Sequence, residues 1–165
     1  MPQFWFDTDS FVNPSRGPYR FGTVPTFWEW LEQKGKEKVI ASPEFVLVRE
    51  LTGNDPQKAD DLEVWAKKQQ GTLFWSPTEE VQQVYKQVAQ SVINEPRYAG
   101  QYIAEFLDGA DPWVISYAKA LGGRVVTFEK SEPLSTKPKI PDVADKFNVK
   151  CIILWDVLTE LKAKF

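Results

Sequence analysis

Two short apolar runs, "RVVTFE" at 124–129 and "CIILW" at 151–155, each follow a stretch of helical character, and this alternation limits the fold most severely. The first comes after "DPWVISYAKALGG", whose pattern predicts a helix from Pro112 to Leu121 stopped by Gly122 and Gly123. The second comes after "PDVADKF", a short helix, and leads into "DVLTELKAKF", a closing helix. Apolar strands separated by helices pack as a parallel sheet covered on both faces. The expected class is therefore α/β, a three-layer α/β/α sandwich with a central, mostly parallel sheet.

The first half carries the same signals more faintly. Residues 4 to 7 read as a strand, followed by a loop whose "NPSRGPYRFG" is rich in turn residues. Thr26 to Glu32 reads as a helix ending near Gly35, and Val39-Ile40 as a short strand. Ser42-Pro43 has the form of a cap and first helical residue, predicting a helix through Glu50 and Leu51 that breakers at Gly53 and Pro56 stop. Asp60 to Gln70 is helical, Thr72 to Trp75 a strand, and Ser76-Pro77 opens a helix with Val81, Val84, Tyr85, Val88 and Val92 along one face. Tyr98 to Asp108 is helical too. With no internal repeat, 165 residues fit a single domain, residues 1–165, large enough to hold a core without staples.

The complete absence of His removes the commonest general base and transition-metal ligand, and one cysteine, Cys151, makes neither an internal disulfide nor a zinc site. Any chemistry must run on carboxylates, which suit hard oxygen-seeking ions, Mg2+ or Mn2+. A net charge of −3 gives no global pull on nucleic acid, though a local basic patch stays compatible with it. No apolar run approaches the roughly 18 residues of a membrane span, and the N-terminus lacks the pattern of a secretory signal, so the expected location is cytoplasmic with no membrane contact.

Ligands of open parallel sheets sit at the carboxyl ends of the strands, so the acids that fall there are the candidates. Asp7 follows the first strand, Glu129 follows "VVT", and Asp111 opens the helix leading into that second strand, which places three sequence-distant acids on one edge. Glu50, in "FVLVREL", joins them if its helix ends toward the crevice, and Asp9 if the extended chain continues past Asp7. Each has a plainer reading: a turn acid for Asp7, a helix cap for Asp111, a solvated helix residue for Glu50, a surface pair with Lys130 for Glu129. Clustered carboxylates repel unless a cation neutralises them, and ions held this way activate water for phosphodiester hydrolysis without histidine. Arg16, Arg20, Lys130, Lys137 and Lys139 flank the two acid-bearing strands and either line the crevice as phosphate contacts or sit in solvated loops.

Taken in order, "FDTDSF", "LVREL", "ADPWVISYAKALGGRVVTFEK" and "KIPDVADKFNVKCIILWDVL" resemble PIN-domain proteins, and more narrowly a PIN-like family of small prokaryotic proteins of uncharacterised function. The likeness runs over nearly the whole chain and is strongest at 4–12 and 109–158. It implies a PIN-like α/β/α sandwich with an acidic pocket for Mg2+ or Mn2+, in a superfamily that includes VapC-type toxins cleaving RNA. By position the acids would be Asp7, Glu50 and Asp111, with Glu129 fourth; where many PIN nucleases carry an Asp-rich motif, this chain offers Thr127 and Glu129. Ser10 matches the small hydroxyl residue often found just after the first acid. The implied activity is an endoribonuclease, the toxin of a toxin-antitoxin pair, with RNA as substrate, an antitoxin as partner and a homodimer as assembly. The alternatives are a catalytically impaired PIN-like module that binds RNA or a protein partner, and a phosphatase or DNA-acting nuclease using the same acids.

Overall fold

In the first strand, "FWF" sends Phe4 and Phe6 to one face and Trp5 to the other, and two separate apolar clusters are built on that alternation. The structure is a computed structural model describing residues 1–165. Its sheet has five strands, β1 (Phe4–Phe6), β2 (Ile40–Pro43), β3 (Phe74–Trp75), β4 (Arg124–Val126) and β5 (Cys151–Ile152). All pairings are parallel, in the order β3-β2-β1-β4-β5. The chain moves outward from β1 to β3, then returns to lay β4 against the other side of β1. Because strand-helix-strand crossovers are right-handed, that reversal moves the connecting helices to the opposite face.

On the Phe4 and Phe6 side lie α1 (Asp9–Arg16), α2 (Pro25–Lys36) and α3 (Asp61–Lys67), joined by the C-terminal α8 (Leu154–Glu160). On the Trp5 side lie α4 (Glu79–Ile93), α5 (Gly100–Asp108), α6 (Asp111–Leu121) and α7 (Ile140–Asp145). The three-layer α/β/α sandwich read from the sequence is the architecture observed. Trp5 is fully buried, and its indole N–H donates to the Gly122 carbonyl at 2.8 Å, tying the end of α6 to β1. Truncating such a side chain to Ala removes about 3–5 kcal/mol. Gly123 completes this junction: its φ is +110°, and a Cβ there would stand 2.9 Å from the Pro2 carbonyl. No helix is long and apolar enough to cross a membrane.

Three local expectations are corrected. The stretch read as a loop after β1 begins as α1, with Pro14 inside it, because burying Phe11, Pro14 and Ser10 outweighs one lost backbone bond. Ser42-Pro43 does not start a helix: Ser42 ends in β2, its hydroxyl donating to the Phe6 carbonyl at 2.7 Å and its N–H to Leu73 at 2.8 Å. The segment beyond, Val46–Leu51, is π-helical, an arrangement frequent near functional sites. "CIILW" is strand only at Cys151 and Ile152; Leu154 already belongs to α8, and Trp155 packs on Phe128 and Tyr19.

Candidate metal centre

The carboxyl ends of β1 and β4 lie side by side where the strand order reverses. Asp7 is the first residue past β1 and still donates its N–H to Val126 at 2.9 Å, so its side chain is held by the ladder. Thr127 is the first past β4, its N–H bound to Ile152 at 3.0 Å, and Glu129 follows two residues on. From the other side α6 delivers Asp111 at its first turn, with Pro112 next. Carboxylate oxygens of Asp7, Asp111 and Glu129 all lie within 4.8 Å of one another.

A second ring of groups fixes this cluster. The Thr127 hydroxyl stands 3.1 Å from Asp7 Oδ2 and 3.3 Å from Asp9 Oδ2, and itself accepts the Glu129 N–H at 3.1 Å. Asp9 accepts the Phe128 N–H at 3.1 and 3.2 Å. Ser10 donates to the Val126 carbonyl at 2.8 Å, fastening the start of α1 to β4. Glu50 Oε1 accepts the Ala110 N–H at 3.0 Å, so it holds the N-terminus of α6 and thereby the place of Asp111. Gly109 permits that approach, since a Cβ there would come within 3.0 Å of the same oxygen.

The electrostatics are those of uncompensated acids. Asp7, 3% exposed, is held well above the ordinary carboxylate range, chiefly by burial and then by the charges of Asp111, Asp9 and Glu129. Burial, then Glu129, Glu50 and Asp9, push Asp111 up to about 7 against a lowering influence of Lys137. Glu129 is raised by burial and by Asp9, partly offset by Lys139 and Lys137. Asp9 is raised by burial, while bonds from Phe128, Thr127 and Ser10 pull it back.

The donor set fits a hard divalent cation. Asp7 Oδ1 is buried with no hydrogen-bond partner, as is the neighbouring Thr8 hydroxyl, so one acid of the cluster keeps an unmatched buried acceptor. Every available ligand is oxygen, which selects Mg2+ or Mn2+ over thiolate- or imidazole-seeking metals. The N-cap of α6 is Ala110, so Asp111 is its first helical residue and not the helix cap of its plainer reading.

The pocket, about 370 Å³, is lined by Asp7, Asp9, Glu50, Asp111 and Glu129, so all five acids chosen from the sequence meet in one place. Three form the tight cluster, Asp9 stands behind it, and Glu50 is exposed at its edge as a helix-holding residue. Lys137 and Lys139 line an adjoining cavity of about 390 Å³ that shares Asp111 and Glu129 as its wall. Arg16, Arg20 and Lys130 are exposed and line neither cavity. Ser10 is fully buried, so it positions α1 and does not reach a substrate. Sequence reasoning placed Thr127 beside Glu129 at the fourth acidic position without a role, although it is 1% exposed and the only hydroxyl bridging two of the acids, and it missed Asn13, one turn beyond Asp9 on the pocket wall. The signal for Thr127 was a polar residue at the carboxyl end of an apolar strand.

Fold and site together define a three-layer α/β/α protein with a carboxylate pocket at the switch point of its parallel sheet. The chain belongs to the family described as a domain of unknown function, DUF4411, whose profile matches residues 4–165. No curated protein and no solved structure matches it.

Proposed function

We propose that this PIN-like chain is a divalent-metal-dependent endoribonuclease, acting as the toxin of a toxin-antitoxin pair. The observation that carries the nuclease reading is the convergence of Asp7, Asp111 and Glu129 within 4.8 Å, with Asp7 Oδ1 buried and unpartnered. Three clustered acids, one buried and two half-buried, without a counter-cation are unfavourable by themselves and gain from a metal. The toxin and antitoxin part of the reading rests on the family resemblance.

In this reading Asp7, Asp111 and Glu129 hold Mg2+ or Mn2+, which when bound lowers the pKa of water and polarises a phosphoryl oxygen. Asp111, pushed up to about 7 by burial and its acidic neighbours, would ionise fully to take the ligand role. Thr127 and the Phe128 amide keep Asp7 and Asp9 facing inward. Glu50 holds α6 so that Asp111 meets the other two acids.

The test is incubation of a mixed cellular RNA pool with purified protein and Mn2+ or Mg2+, beside Asp7→Asn and Asp111→Asn. Cleavage that disappears with chelator and in both folded variants supports the reading. Absence of cleavage with any divalent ion, together with no calorimetric heat of metal binding, would sink it and leave a PIN-like binding module.

A further inference from the structure

A separate cavity of about 480 Å³ opens where the turn joining α4 to α5, the loop after β4 and α7 come together. Arg97 enters it from the turn, Ser131 and Pro133 from the loop, and Pro141, Asp142, Asp145 and Lys146 from α7 and its end. It shares no residue with the acid pocket. Apart from the two proline rings, every lining side chain is polar or charged. The volume is of a size to take one small ligand.

The charges around this cavity divide into those already matched and those left over. Lys146 Nζ pairs with Glu95 at 2.9 Å, while Asp142 accepts the Ser131 hydroxyl on one oxygen and the Glu132 N–H on the other, the latter at 2.8 Å. Arg97 makes no ion pair within 4.0 Å; its guanidinium donates to the Tyr98 hydroxyl at 3.3 Å, and its Nε is buried with no partner. Its charge is felt at Glu95, but the two oxygens there are taken by Lys146 and by the Arg97 backbone N–H at 3.3 Å. Asp145 is exposed and also without an ion pair. One guanidinium and one carboxylate thus line the same cavity, too far apart to neutralise each other.

The walls are fixed before any ligand arrives. The Lys146–Glu95 pair ties α7 to the turn, the Asp142 bonds tie α7 to the loop, and the Ala99 N–H, donating to the Thr136 carbonyl at 2.9 Å, ties the loop to the start of α5. Arg97 is steadied by Tyr98, which is 6% exposed and whose ring centre lies 5.0 Å from the guanidinium carbon. Binding therefore costs little ordering of the protein.

We infer that this cavity is a binding site for a small amino-carboxylate, a zwitterion of the free α-amino acid kind. A simple anion meets Asp142 and Asp145, and a simple cation meets Arg97 and Lys146; a molecule carrying both signs, correctly turned, is opposed by neither. Its carboxylate pairs with the Arg97 guanidinium, whose planar fork suits two oxygens, and its ammonium with Asp145. Pro133 and Pro141 are the only apolar walls, so the site favours small side chains over long apolar ones. The inference goes beyond the nuclease reading and does not depend on it.

The test is calorimetric titration of the whole protein with glycine, L-alanine, L-serine and L-proline, beside acetate and methylamine, which carry one charge each, with thermal unfolding in the same solutions. At least one amino acid should bind and raise Tm, with acetate and methylamine weaker by about tenfold or more. Arg97→Gln and Asp145→Asn, each with a wild-type circular dichroism spectrum, should each weaken that binding about tenfold. Absence of both heat and Tm shift with all four amino acids, acetate bound as tightly as the amino acid, or an unchanged Kd in either variant overturns the site. RNA cleavage, present or absent, moves none of these readouts.

Discussion

The hydroxyl of Thr127 stands 3.1 Å from Asp7 Oδ2, joining the carboxyl ends of the two strands that meet at the reversal of strand order. It faces Asp9 Oδ2 as well, at 3.3 Å, so one hydrogen serves two carboxylates. Replacing it by Val keeps the shape and removes that donor and the acceptor used by the Glu129 amide. Thr127→Val should weaken Mn2+ binding by about 10–100-fold and lower stability by about 1–3 kcal/mol, read by titration calorimetry and urea unfolding. Wild-type metal affinity in this variant would show that the hydroxyl does not organise the site.

Stability of the metal-free protein should fall as pH rises. Asp7 and Asp111 hold their protons in the fold after the unfolded chain, with carboxyl pKa near 3.9, has released them. The stabilising contribution is thus complete below about pH 4 and is lost up to about 7 for Asp111, with Asp7, also held well above the ordinary carboxylate range, acting in the same direction. Urea unfolding between those limits in chelator should show a decline on the order of a few kcal/mol, and saturating Mn2+ should flatten or reverse it. A pH-independent midpoint would refute the buried-acid electrostatics.

Asp7→Asn removes a charge that the fold alone does not favour. In chelator at alkaline pH the variant should unfold about 1–3 kcal/mol later than wild type, while losing the stabilisation by Mn2+ that wild type shows. Thermal unfolding with and without metal reads both effects at once. A variant less stable than wild type in chelator would mean that Asp7 is satisfied by groups other than a cation.

Glu50 separates position from charge. Glu50→Gln preserves an oxygen for the buried Ala110 amide, whereas Glu50→Ala leaves that donor unmatched. The Ala variant should be less stable by about 0.5–2 kcal/mol and the Gln variant close to wild type. If both lower metal affinity to the same degree, Glu50 acts as a ligand through its charge; loss in Ala alone marks it as the holder of α6.

Gly123→Ala should be destabilising by more than about 1 kcal/mol, because it meets a φ of +110° and the Pro2 carbonyl together. Denaturant midpoints check it, and a neutral result would mean that the junction between the end of α6 and the start of β1 yields without strain.

The acids were legible because their positions follow from a rule that needs only strand ends and connection order. Asp7, Glu129 and Asp111 each border an element whose apolar pattern is plain, and a parallel sheet sends all three to one edge. Ser42-Pro43 was not, since the same two residues start helices locally and here end a buried strand whose neighbour supplies the Phe6 carbonyl. The start of α1 was hidden by Pro14, whose local signal is outweighed by Phe11 reaching the core. Among the basic residues, loop position alone did not separate Lys137 and Lys139 from Arg16, Arg20 and Lys130; that depends on where the loop is pinned to α5. Thr127 was placed by the resemblance at the fourth acidic position, but its role as donor to Asp7 depends on a partner across the sheet.

Because β1 is bonded on both sides and its residues lie at 0% exposure, its amides should exchange with solvent only when the whole domain opens. Asp7 extends that strand and shares its fate. Asp7 therefore cannot leave the other acids by fraying of a loose edge, as it would on a peripheral hairpin; the central strand keeps its charge in place. A proton or a cation is then the only release, and the sheet converts its own rigidity into appetite for one of the two.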